Sequence, residues 1–201
     1  MATDIMVRPE HGRSSPAVAW FLLVAFACDM TMPVRTLPYV NERMANITMR
    51  GGLALSDGKP VTAIVFSLSE KGDTISVVPY LHGKHHGIAR EYHANGRLKS
   101  IRFAENGWKQ GTHRGWFENG NKQFEFHFRD DVFHGNQREW MPHGVLYSDL
   151  NYDYGVPSGH QKVWDPNGRI KTNYVIINNR RYGLLGTKNC VNISDSVFVG
   201  R

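Results

Sequence analysis

A 24-residue period constrains this chain more than any other feature. Gly87, Gly111, Gly135, Gly159 and Gly183 stand 24 residues apart without insertion. Five residues after the first four comes an aromatic ring: Tyr92, Trp116, Trp140 and Trp164. Nine residues after comes a second glycine, at Gly96, Gly120, Gly144 and Gly168. Asn95, Asn119, His143 and Asn167 precede it. A fixed period in this range signals a repeat architecture, in which each unit buries its apolar side against its neighbours.

The content of the unit predicts a β-hairpin. Asn136 to Trp140 is a short polar run ending in an aromatic, and Met141-Pro142-His143-Gly144 follows as a turn. Val145 to Tyr152 is rich in β-branched and aromatic residues, and Asp153-Tyr154-Gly155 turns the chain again. Asn-Gly suits the first turn if both residues take positive φ. The opposite turn carries Asn106-Gly107, Asp130-Asp131 and Asn178-Asn179. No segment holds a helical apolar spacing for three turns. The expected fold class is therefore all-β, an elongated array of antiparallel β-hairpins. Phe126, Leu150 and Tyr174 form one column of the second strand, and Phe128, Tyr152 and Ile176 the next, so they share a face. In the Gly96 unit the apolar pair is Ile101 and Phe103, one residue early. A bulge there is expected to restore the face.

The ends have a different character. Ala17 to Ala27 is an uncharged run of 11 residues, too short to span a bilayer, with Arg8 and Arg13 before it. It predicts a signal peptide over 1–27, cut after Ala25-Phe26-Ala27. Cys28 follows directly, as in a bacterial lipobox, so lipidation at Cys28 is expected, with plain secretion and a chance hydrophobic stretch as the alternatives. Residues 28–50 are expected to be a tether, because Pro33 and Pro38 break any period. The repeat domain is expected over 51–201, with a degenerate first unit at about 59–86, clear units over 87–182 and a C-terminal cap at 183–201. The expected location is the cell envelope.

The phrases Gly-Ile-Ala-Arg-Glu-Tyr-His-Ala-Asn-Gly-Arg-Leu-Lys-Ser (87–100) and Gly-His-Gln-Lys-Val-Trp-Asp-Pro-Asn-Gly-Arg-Ile-Lys (159–171) resemble MORN-type repeats, and more nearly the bacterial variant found in YwqK-type antitoxin-like proteins. The resemblance covers about 51–182. It implies successive antiparallel hairpins in one long twisted sheet, and protein binding rather than chemistry.

Charge narrows the partners. The chain carries a formal net +6, and the two basic and two acidic residues of 1–27 leave the mature part at the same value. A basic balance favours an acidic protein or an anionic envelope component; outside the cytoplasm nucleic acid is not expected. Arg90, Arg114, Arg138 and Lys162 stand three residues after the repeat glycines, two before Tyr92, Trp116, Trp140 and Trp164. Two-residue spacing puts each pair on one face, with equivalents roughly 10 Å apart, two strand spacings. These eight residues are the candidate partner-binding face. The alternative is that the rings form the packing between repeats and the cations lie over them.

His82, His85, His86 and His134 are assigned to repeat-linking turns, without a metal. Cys190 stands alone, which supports neither a disulfide framework nor a metal cluster. No G-x-S-x-G, H-E-x-x-H or phosphate-cradling glycine loop occurs, so neither catalysis nor a cofactor is expected. Three functions are weighed: an envelope binding scaffold, an antitoxin or immunity-like binder in the cytoplasm, and a carbohydrate-acting enzyme or lectin stacking sugars on Trp116, Trp140 and Trp164.

Overall fold

The computed structural model describes residues 37–186, which contain strands, turns and loops and no helix. The expected signal peptide over 1–27, Cys28, and residues 187–201 of the expected cap lie outside the described residues.

The chain enters through β1 (Tyr39–Asn41), β2 (Ile47–Arg50), β3 (Leu53–Ser56) and β4 (Lys59–Pro60). β1 pairs in parallel with β5 (Ala63–Leu68), while β2, β3 and β4 form a small three-stranded sheet. The expectation of a tether over 28–50 is therefore corrected from Leu37 onward. Three apolar residues of that stretch are drawn inward, while Tyr39, Met44 and Met49 stay exposed. Leu37 is buried, and Val40 and Ile47 pack on a cluster of Ala54, Val61, Ala63 and Val65. This is the driest part of the described chain, and burial here closes the first unit.

The large sheet has 15 strands and continues as an antiparallel meander. After β5 come β6 (Thr74–Leu81), β7 (Lys84–His85), β8 (Gly87–Tyr92), β9 (Leu98–Glu105), β10 (Trp108–Lys109), β11 (Gly111–Trp116) and β12 (Lys122–Arg129). Then follow β13 (Val132–Phe133), β14 (Gly135–Trp140), β15 (Leu146–Asp153), β16 (Val156–Trp164), β17 (Ile170–Ile177) and β18 (Arg180–Leu184). The repeat is thus a twisted single sheet of hairpins, and β5–β6 is a full member with Ala63 in the glycine slot.

Two turns alternate, and in one of them positive φ at both central residues, as expected for Asn-Gly, does not occur. At Asn95-Gly96 only the glycine has positive φ (78°). Asn95 instead uses its side chain: Oδ1 accepts from the Arg97 N–H, and Nδ2 donates to the Glu118 carbonyl of the next unit. Asn119 does the same toward Asn121 and Pro142. Consecutive positive φ belongs to the opposite turns, such as Asn106 (51°) and Gly107 (89°), which fits two-residue type I′ hairpins.

Every unit carries a bulge at one place, between Glu91/Tyr92, Gly115/Trp116, Glu139/Trp140 and Val163/Trp164. The Gly96 unit has no extra one. Gly87 pairs with Ala104 as Gly111 pairs with Phe128, so the register is common. Ile101 and Phe103 therefore lie on the face opposite the Phe126/Phe128 column, and the expected restoring bulge is absent.

A second irregularity explains the leading glycines. Ala104 pairs Lys109 and Ile101 pairs Arg114, so three steps on one strand match five on the other. The same two-residue excess separates Phe128/Phe133 from Glu125/Arg138. Gly111 (φ 67°) and Gly135 (87°) absorb that kink. The last hairpin loses it: β18 runs in simple register from Ile177/Arg180 to Asn173/Leu184. The expected cap at 183 thus begins inside a regular edge strand.

Candidate binding face

Directly paired residues share a face, so the register links strands into transverse rows. One row runs Val77, Arg90, Ile101, Arg114, Glu125, Arg138, Asp149, Lys162, Asn173. The four expected cations do lie in one line on one face. Acids interrupt that line at Glu125 and Asp149. Arg114 Nε donates to Glu125 Oε2 at 2.9 Å, with Lys122 Nζ at 3.5 Å, and Arg138 Nε donates to Asp149 Oδ2 at 3.2 Å. The Arg114 bond, outweighing burial, holds the Glu125 carboxyl below its usual range. Among the described residues no carboxylate pairs with Arg90, which lies between Val77 and Ile101.

The rings sit at the bulges. Tyr92, Trp116, Trp140 and Trp164 pair with Leu98, Lys122, Leu146 and Ile170, and all four are half-buried. The cation over Trp140 is Lys122, 5.2 Å from the ring centre, contributed by the preceding hairpin. Trp140 thus meets a residue of the preceding repeat, and all four rings stay partly open.

The sequence reading missed two columns. Ala89, His113, Gln137 and Gln161, two residues after the leading glycines, are all buried. Their polar members bond backbone opened by the kink. His113 Nε2 lies 2.7 Å from the Phe103 carbonyl, and Gln161 Nε2 donates to the Asn151 carbonyl at 2.7 Å. Gln137 takes both groups of His127, donating to its carbonyl and accepting from its N–H, each at 2.9 Å. The second column is Thr62, His86, Gln110 and His134, whose side chains accept from the first N–H of the next type I′ turn, at His82, Asn106, Asp130 and Tyr154. Three polar side chains of each column stand at a fixed offset from a leading glycine, which is a signal of their place though not of their burial. On the same face as the buried column, Phe124, Phe126, Phe128, Phe133 and Tyr152 form a chain of ring contacts 4.8–5.4 Å apart. This agrees with the expected apolar column.

His85 is the exception among the histidines. Burial, reinforced by the neighbouring His113, pushes its pKa down to about 4, and its Nε2 is buried without a partner. Burial also lowers His113. Unfolding frees both imidazoles to bind protons near pH 6.5, so stability is full above that value and falls as pH drops toward 4. The expected result is a Tm that falls on acidification from pH 7 to 4. His85→Phe, which installs the side chain of the equivalent Phe133, should flatten that fall. An unchanged acid limb would show that the burial of His85 is not its cause. Among the described residues no three metal-ligating side chains converge.

The MORN repeat variant family matches residues 86–106 and 109–130, two consecutive units of the array. Among curated proteins none matches the chain.

Proposed function

We propose that this chain, which carries MORN-variant repeats, is a non-enzymatic scaffold of the cell envelope whose Arg–aromatic face binds an acidic protein or an anionic envelope component. The MORN-type β repeat is itself a non-catalytic repeat type. The observation that supports the reading is the shared row, which brings Arg90, Arg114, Arg138 and Lys162 to one face of successive hairpins. The carboxylates engage Arg114 and Arg138 through Nε, and both side chains stay about half exposed, at 50% and 46%. An incoming acid can therefore bond the remaining guanidinium N–H groups. Tethering follows from the 1–27 leader and Cys28, through one acyl-anchored linker.

The test is binding of the mature protein to acidic envelope proteins and to anionic vesicles, against Arg114→Ala/Arg138→Ala. These exposed pairs are each worth about 0–1 kcal/mol to stability, so the double variant should fold. Its binding is expected to weaken about tenfold and to lose part of its salt dependence. Unchanged binding by the folded variant rejects the row as the site. Mass spectrometry of the mature N-terminus is expected to find an acylated Cys28; a soluble, uncleaved chain would favour the cytoplasmic antitoxin-like reading.

A further inference from the structure

The two halves of the Arg–aromatic face differ in chemistry. From β12 onward the positions equivalent to Ile101 are Glu125, Asp149 and Asn173, and those equivalent to Phe103 are His127, Asn151 and Val175. Ahead of β12 they are apolar. Register carries Tyr39, Ile64 and Pro79 in one row, and Ile88 pairs Phe103 in the neighbouring strands of that face. Phe66 and Val77 lead the adjoining row to Arg90. The misplaced Ile101/Phe103 pair thus extends an apolar patch begun by the first unit. Within it a groove of about 430 Å³ opens between Tyr39, Ile64, Pro79, Ile88 and Arg90. Ile64 at its floor is buried, while Tyr39 and Ile88 at the rim are 69% and 45% exposed.

We propose that this groove docks an extended protein segment that sets one carboxylate between apolar side chains, with the carboxylate on Arg90. This deepens the reading above and rests on it, since it assigns the acidic partner's anchor to one end of the face. Charge complementarity argues for the occupant. Among the described residues no carboxylate pairs with Arg90, whereas Arg114 and Arg138 already share their guanidinium groups with Glu125 and Asp149. A guanidinium fork matches a carboxylate in bidentate geometry. The apolar surround excludes water from that pair and strengthens it. The shape argues for a protein segment over a free acyl chain: the groove is a trough with its rim in solvent, which side chains fill from above, whereas an acyl chain needs walls on all sides.

The experiment uses the full chain, labelled with ¹⁵N and titrated with four probes. These are acetyl-LVEVL-amide, its glutamine analogue acetyl-LVQVL-amide, acetyl-SSESS-amide and dodecanoate. The glutamate peptide is expected to shift the amides of Ile64, Val77, Ile88 and Arg90, and to bind about tenfold tighter than the glutamine analogue. Arg90→Gln should erase that preference while leaving the rest of the spectrum in place. Arg90→Lys should restore part of it, which separates charge from folding. The serine-flanked peptide should not bind. The proposal is overturned if the shifts centre on Arg114 to Lys162, if Arg90→Gln keeps the preference, if no peptide binds, or if dodecanoate binds more tightly than the glutamate peptide. An acidic envelope partner that still binds the Arg90→Gln protein sinks this anchor alone. If no anionic partner binds this face at all, the parent reading fails with it.

Discussion

Gln137→Leu is expected to cost about 2–3 kcal/mol of folding stability, measured by urea unfolding. The side chain is 3% exposed and closes both backbone groups of His127. Leucine fills the space and closes neither. The His127 carbonyl keeps its bond from the His134 N–H at 2.9 Å, so the carbonyl is not orphaned. The His127 N–H loses its side-chain acceptor, and a buried donor without one costs about 1–3 kcal/mol; the lost bond to the carbonyl adds roughly 0.5–1.5 kcal/mol. Gln137→His should cost less, because His113 occupies the same slot and reaches the equivalent carbonyl. Amide exchange at His127 should quicken in the leucine variant before that of its neighbours. A loss below about 0.5 kcal/mol would mean that water closes the kink and that the buried column is packing alone.

Gly83→Val is expected to cost at least about 3 kcal/mol, combining positive-φ strain with overpacking. Gly83 has φ +78°, and a Cβ there would stand 3.0 Å from the Ala54 carbonyl oxygen and 3.3 Å from Pro60 Cβ. It is also the joint between the small sheet and the large one: its N–H donates to the Val61 carbonyl at 2.6 Å, and its carbonyl accepts from the Ala54 N–H at 2.8 Å. Valine must push β3 away, which opens the cluster of Ala54, Val61, Ala63 and Val65. Gly107→Val is the matched control. Gly107 occupies the same place one unit on, at φ +89°, but its nearest neighbours are Lys84 side-chain atoms 3.7–3.8 Å away. It should show backbone strain alone, about 1–3 kcal/mol. Equal losses in calorimetry would show that the small sheet contributes little to closing the first unit.

The repeat was legible because its period is carried by residues with narrow backbone roles. Gly111 and Gly135 mark the kinks, and Gly96 and Gly120 the turns, so spacing alone located the hairpins. What spacing does not carry is the pairing partner of each residue. The cation column at Arg114 and Arg138 was visible along the chain, but Glu125 and Asp149 become its neighbours only through cross-strand register. Ile101 and Phe103 stand out of step, and spacing alone points to a bulge there; the register shows instead that both faces of the sheet accept apolar residues where the first unit supplies neighbours. The buried Gln137 and Gln161 went unread for a related reason. A glutamine in a strand suggests an exposed position, and only the two-residue excess at the kink creates the backbone gap it fills.

The common register also bears on how such a chain can change length. Because each unit repeats the same bulge and the same excess, copying or losing 24 residues between Gly87 and Gly159 returns every later residue to its former face. Duplication within the gene is therefore structurally silent in the middle of the ribbon. The segment before Gly87 has no such freedom, since β1 to β4 dock on one particular neighbour and a copy inserted there would separate them from it.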